Sequence, residues 1–183
     1  MRLGFILIAT AIVIVFVSWL TAKRDTSEPT LNTNAPATVV VTSSAFTNNG
    51  NVPAKYTCDG QNTSPPLQIS GQPANAKGLA LIMDDPDAPG RTYTHWLVWN
   101  IPPQTSTVSE GQSPSGATGQ NSAGQSIYTG PCPPSGTHRY YFRVYALDAE
   151  LTLAAGSSKS DVVNAMSGHV LTQGELIGRY RRQ

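Results

Sequence analysis

The sequence predicts a mainly β fold, on three observations. Runs of β-branched and aromatic residues are short and are broken repeatedly by the 16 Gly and 14 Pro, a punctuation that suits strands and long loops rather than helix bundles. Five runs read as strands, and only one stretch reads as a helix. At 183 residues and 39% hydrophobic, the chain has room for one domain with a substantial core.

The expected strands are residues 39–46, 67–70, 78–83, 94–101 and 138–147. The first opens the folded part with Val39, Val40 and Val41. Residues 78–83 are nearly all apolar, which suits a central strand covered on both faces. Residues 138–147 alternate, so His138, Tyr140, Phe142 and Val144 share one face, and Arg139, Tyr141, Arg143 and Tyr145 the other. The same period places Tyr93, His95, Leu97 and Trp99 together. Between Pro103 and Thr129 the chain is rich in Ser, Gly, Gln and Thr, and reads as a long loop. The helix follows: Ser160 caps it, Asp161 sits in its first turn, Val162, Ala165 and Met166 share a face, and Gly168 ends it. His169 reads as a helix-end residue satisfying carbonyls.

Residues 1–24 stand apart from this pattern. Leu3 to Ala22 carries no charge, and at 1.5 Å per residue such a run crosses a bilayer core of roughly 30 Å. Its length favours an uncleaved anchor, with an export signal as the alternative. A polar linker, 25–38, leads to the domain, 39–183, expected to be membrane-anchored or exported and extracytoplasmic. Residues 25–183 hold nine basic and eleven acidic residues, so no nucleic-acid footprint is present. Arg179, Arg181 and Arg182 form the one basic cluster and read as a solvated tail.

The chemistry concentrates in two proline-stiffened turns. Asp85, Pro86, Asp87, Ala88 and Pro89 lead towards His95, and Gly130, Pro131, Cys132, Pro133 and Pro134 lead to His138 and Tyr140. A histidine held cationic by an adjacent acid, a tyrosine hydroxyl and exposed backbone N–H groups together make an anion site that needs no nucleophile. Cys58 and Cys132 could close a disulfide in an exported domain; unpaired, Cys132 beside His138 reads as a thiol nucleophile, although its flanking prolines remove the donors an oxyanion hole uses. The acids and histidines lack metal-ligand spacing, so no metal, cofactor or catalytic residue is expected.

These motifs resemble the phosphatidylethanolamine-binding protein family, also called Raf kinase inhibitor-like proteins, and most closely its bacterial branch. The resemblance rests on Tyr56, Thr57, Cys58, Asp59 and Gly60 followed by Ser64, Pro65, Pro66 and Leu67; on residues 84–89; on His95 and Trp96 through Asn100, Ile101 and Pro102; and on residues 130–134 with His138, Arg139, Tyr140, Ala146, Leu147 and Asp148. It implies a large antiparallel sheet packed on a smaller one with a few peripheral helices. It also implies a small cavity for phosphate-type anions or phospholipid headgroups, lined here by Asp85, Asp87, Pro89, His95, Gly130, Pro131, Pro133, His138 and Tyr140. The C-terminus departs from animal members, because 174–182 looks like a terminal strand. The expected function is a non-enzymatic binding protein for a small phosphate-bearing ligand or lipid headgroup. The alternative is a protein-interaction module that inhibits a protease or signalling enzyme through the pocket rim or the loop from Pro103 to Thr129.

Overall fold

A computed structural model describes residues 34–182. The apolar segment at 1–24 and most of the polar linker lie outside the described residues. Eight strands and one α-helix follow in order: β1 (Val40–Thr42), β2 (Leu67–Ser70), β3 (Gly78–Asp85), β4 (Tyr93–Ile101), β5 (Thr107–Val108), β6 (Ala117–Thr118), β7 (His138–Leu147), α1 (Lys159–Met166) and β8 (Val170–Tyr180). They form a five-stranded sheet, β6-β4-β3-β7-β8, and a three-stranded sheet, β1-β2-β5. All strand pairs are antiparallel. The fold is therefore mainly β, with two sheets and one peripheral α-helix among the described residues.

Strand β3 explains the layering. Leu79, Leu81 and Met83 enter the core between the two sheets, with Val41, Ile69, Trp96, Val98, Phe142 and Val144. Ala80 and Ile82 point the opposite way, into a second core under α1, with Leu97, Trp99, Val162 and Met166. A strand with apolar neighbours on both faces needs an unbroken apolar run, and β3 is buried along its whole length.

Several expected boundaries move, each for a local reason. The first strand stops at Thr42, because Ser43 Oγ donates to the Pro66 carbonyl and accepts from Ala45 N–H, turning the chain off the sheet. The helix is capped by Ser158 rather than Ser160: Ser158 Oγ accepts from Asp161 N–H, and the Asp161 carboxylate accepts from Ser158 N–H, a reciprocal capping box. The terminal strand begins at Val170, four residues before the expected start at 174. His169 closes the helix end as expected, its N–H donating to the Met166 carbonyl at 3.0 Å, while its side chain bonds the Asp148 carboxylate through Nδ1 at 2.8 Å.

Strand β4 contains two irregularities that the period-2 reading missed. Met83 pairs with Trp96 and Asp84 with Thr94, so His95 is an extra residue on β4, a β-bulge. Near the other end Asn100 takes φ 53° and clamps Leu151 through both side-chain atoms. The first bulge places His95 against Tyr140 on the inter-sheet side, while Leu97 and Trp99 stay under α1. His95, Leu97 and Trp99 therefore do not share a face, contrary to the strict alternation.

The loop from Pro103 to Thr129 also carries more structure than its composition suggests. It supplies β5 and β6, and the buried Asn121 staples its second half: the side-chain oxygen accepts from Ala123 and Gln125 N–H, and the amide donates to Ile127 O and Thr129 Oγ1.

The N-terminal part of the domain crosses β8 at close range. A Cβ on Gly174 would stand 1.9 Å from the Val39 carbonyl oxygen, which is backbone and has nowhere to move. Gly174→Ala is expected to lower stability by about 1–3 kcal/mol, the usual penalty of overpacking, measured as a shift in urea midpoint with an unchanged slope.

Candidate functional site

The two proline-stiffened turns meet at one end of the large sheet. Where β3 leaves the core, Asp85 accepts from Asp87 N–H at 2.8 Å through Oδ1, forming an Asx turn. The other oxygen, Oδ2, accepts from His138 Nδ1–H at 2.7 Å. Both side chains are buried, at 5% and 9% exposure, so this is a desolvated acid–imidazole pair. Tyr140, two residues along β7 on the same face, is fully buried.

His95 reaches the same place from the bulge in β4. Its Nδ1 lies 2.7 Å from the Thr129 carbonyl oxygen, which can only accept, so Nδ1 carries the hydrogen and Nε2 is left as an acceptor. Burial lowers the affinity of His95 for a second proton, against opposing pulls from the Thr129 carbonyl and the Asp85 and Asp84 carboxylates. His95 is thus a neutral imidazole, its ring edge-on to Tyr140 with centroids 5.2 Å apart and flanked by Tyr93 at 4.8 Å.

The Tyr140 hydroxyl stands out chemically. Its oxygen is buried and makes no hydrogen bond of good geometry, although the Asp85 carboxylate and the Cys132 backbone lie near enough to act on its ionisation. Burial and the neighbouring Asp85 charge raise its pKa, so it remains a neutral donor.

Asp87 has a different role from the one its position suggests. It binds no histidine; its two oxygens take Arg139 Nε at 2.9 Å and Nη2 at 2.7 Å, and Arg139 N–H bonds the same carboxylate at 2.9 Å. These hydrogen bonds from Arg139 hold the Asp87 carboxyl down at about 2. Pro89 is exposed on the turn that follows.

The second turn is bolted to the segment 56–62 by three ties. Cys58 and Cys132 form a disulfide, Cys58 N–H donates to the Pro131 carbonyl at 3.1 Å, and Gly130 N–H donates to Asn62 Oδ1 at 2.7 Å. Gly130 must be glycine, since a Cβ would lie 2.4 Å from the Tyr56 carbonyl oxygen. Pro131 and Pro133 are buried beside it. With its sulfur bonded, Cys132 is not a thiol nucleophile. Among the described residues, no group of three or more His, Cys, Asp or Glu side chains could hold a metal ion.

The structure thus brings Asp85, His138, Tyr140 and His95 together, stands the 130–134 turn beside them and directs Asp87 outward to Arg139. Sequence reasoning missed Asn62, Asn121 and Thr129, which hold the wall and His95 in place. Their partners are 68, 8 and 34 residues away, and no local motif announces the pairings. Outside the cluster, a cleft of about 530 Å³ is lined by Asp87, Ser135, Gly136, Thr137, His138, Arg139 and Arg179.

Comparison with known proteins places this geometry in a family. The sequence model described as phosphatidylethanolamine-binding protein matches residues 42–181. A protein of Methanothermobacter thermautotrophicus described as a UPF0098 protein is 54% identical over 144 residues, 75% of this chain and 95% of its own length. A UPF0098 protein of Chlamydia muridarum is 43% identical over 147 residues, 78% of this chain and 98% of its own. The solved phosphatidylethanolamine-binding protein homologue of Chlamydia trachomatis is similar at TM-score 0.77 and 40% identity, covering 82% of this chain and 100% of that one. YbcL of E. coli, described as a new member of the mammalian family, is similar at TM-score 0.75 and 30% identity, covering 80% and 100%. With the family model spanning most of the sequence and the two-sheet architecture shared with both solved proteins, the chain belongs to the phosphatidylethanolamine-binding protein family.

Proposed function

We propose that the domain is a non-enzymatic binding protein whose buried cluster receives a phosphate-type anion, free or as a phospholipid headgroup. The observation that carries this reading is the Tyr140 hydroxyl, buried beside Asp85 and His95 and without a hydrogen bond of good geometry. A buried donor left unsatisfied costs about 1–3 kcal/mol, a deficit that an acceptor oxygen of a ligand removes. His138, with Nδ1 held by Asp85, leaves Nε2 to the ligand. His95 adds an acceptor nitrogen, suited to the protonated oxygen of a phosphate monoanion or to a headgroup ammonium. No activated nucleophile is built into the cluster, which supports binding rather than turnover.

The same reading places the domain in an oxidising compartment, with membrane attachment through the uncharged N-terminal run. Its support is the Cys58–Cys132 disulfide, a bond that persists mainly outside the reducing cytosol. Alkylation of intact cells followed by mass spectrometry should find both cysteines protected until reductant is added. Freely alkylated thiols would place the domain in a reducing compartment instead.

Titration of the full chain with orthophosphate and phosphoethanolamine, followed through the His95 and His138 imidazole NMR signals, tests the pocket. Saturable shifts are expected in both rings, with Tyr140→Phe and His95→Ala each weakening binding about 10- to 100-fold, the loss of one hydrogen bond to a charged group. Unchanged affinity in both variants, with the fold intact, would remove the chemical basis of the reading.

Asp87→Asn should act mainly on stability, because its hydrogen-bonded partner is Arg139 and its coulombic interaction with His138 is the smaller one. The folded-state carboxyl is depressed to about 2 from an ordinary value near 4, so the ion pair stabilises fully above about pH 4 and is lost as pH falls through about 2. The thermal midpoints of wild type and Asp87→Asn are therefore expected to differ at neutral pH and to converge towards pH 2.

A further inference from the structure

Immediately outside the buried cluster stands a second group of anion-binding donors. The cleft beside His138 has a single acid, Asp87, against Arg139 and Arg179. A neighbouring cleft of about 790 Å³ shares Thr137 and Arg179 with it and adds Arg181 and Arg182. The β7–β8 ladder brings Arg179 here, paired with Arg139 while Tyr180 is paired with His138, and Arg181 and Arg182 follow directly after the strand. The C-terminal basic cluster therefore borders this surface, with Arg179 in both clefts and Arg181 and Arg182 in the second.

The charges on this rim do not cancel. Arg139 is neutralised by the bidentate Asp87, and Arg182 by Asp59 at 3.0 Å. Arg179 touches only the neutral side-chain oxygen of Asn49, at 3.5 Å, and Arg181 has no ion-pair or hydrogen-bond partner among the described residues. Two exposed guanidinium groups thus have no compensating acid among the described residues. Beside them, the backbone N–H groups of Ser135 and Gly136 carry no acceptor among the described residues. His138 belongs to both environments, since its Nδ1 is held by Asp85 inside while the residue also contributes to the lining of the cleft outside.

We infer that the Arg179–Arg181 rim is a second anion subsite, so that the ligand of this domain carries two phosphate-type groups, one in the buried cluster and one in the outer cleft. The class is a diphosphate, or a compound with phosphates on neighbouring positions. Planar guanidinium forks match phosphate oxygens two at a time, and an uncompensated pair has no internal carboxylate to displace first. This inference rests on the proposed reading of the buried cluster, and its test separates the two.

The full chain is titrated calorimetrically with inorganic orthophosphate and inorganic pyrophosphate at constant ionic strength, as wild type and as Arg179→Ala, Arg181→Ala and Tyr140→Phe. Arg179 contributes to the fold mainly through its backbone, which bonds Gly50 and Val52, so its truncation should leave the thermal midpoint nearly unchanged. Pyrophosphate is expected to bind wild type about 10- to 100-fold more tightly than orthophosphate, the value of one or two hydrogen bonds to charged groups. Each arginine variant should erode that advantage without changing orthophosphate affinity, and Tyr140→Phe should weaken both ligands. Equal affinity of wild type for the two ligands, or an advantage that survives in the Arg179→Ala and Arg181→Ala double variant, would overturn the outer subsite. Pyrophosphate binding that needs the arginines but ignores Tyr140→Phe would overturn the bridging and the reading of the buried cluster together.

Discussion

The architecture depends on one strand being buried on both faces. Because β3 runs between two apolar cores, it has no polar side chain until it emerges, and there two aspartates follow in succession. Adjacent residues of a strand face opposite ways, so Asp84 and Asp85 receive different environments. Asp84 turns to the helix side, where Thr94, Lys159 and Arg143 surround it. Asp85 turns to the inter-sheet side and meets His138. One carboxylate is absorbed into a structural network and the other left to organise a site.

The site is then assembled from deviations rather than from regular structure. A single extra residue in β4 turns His95 out of the alternation and against Tyr140. The wall of the site is an extended proline segment, whose backbone offers few donors, so its position has to come from elsewhere. Asn62, the disulfide and the Tyr56 carbonyl pressed against Gly130 supply it. Asn121 does the same for the loop that ends in Thr129 and so fixes which nitrogen of His95 carries the hydrogen.

What could be read from the sequence follows from this division. The apolar run at 78–83 announced a central strand, and the alternation at 138–147 placed His138 and Tyr140 on one face, because both patterns are local and periodic. The two turns announced themselves through proline. The bulge at His95 could not be read, since alternation assumes that no residue is extra. The partner of Asp87 could not be read, because Arg139 and His138 are neighbours on β7 and only the direction of each side chain decides between them. The helix start was displaced by two residues because Ser157, Ser158 and Ser160 all satisfy the composition of a cap, and only Ser158 stands three residues before Asp161.

The disulfide has a topological consequence. It joins residues 74 apart in sequence, so everything from β2 to β6 lies within one covalently closed ring, with β1 before it and β7, α1 and β8 after it. A single peptide-bond cleavage anywhere inside that ring, including the exposed tip at Ile127, leaves the two pieces linked through sulfur. Nicked chains of this kind keep both halves of the site tethered, and the damage becomes visible only when the sulfur bridge is opened.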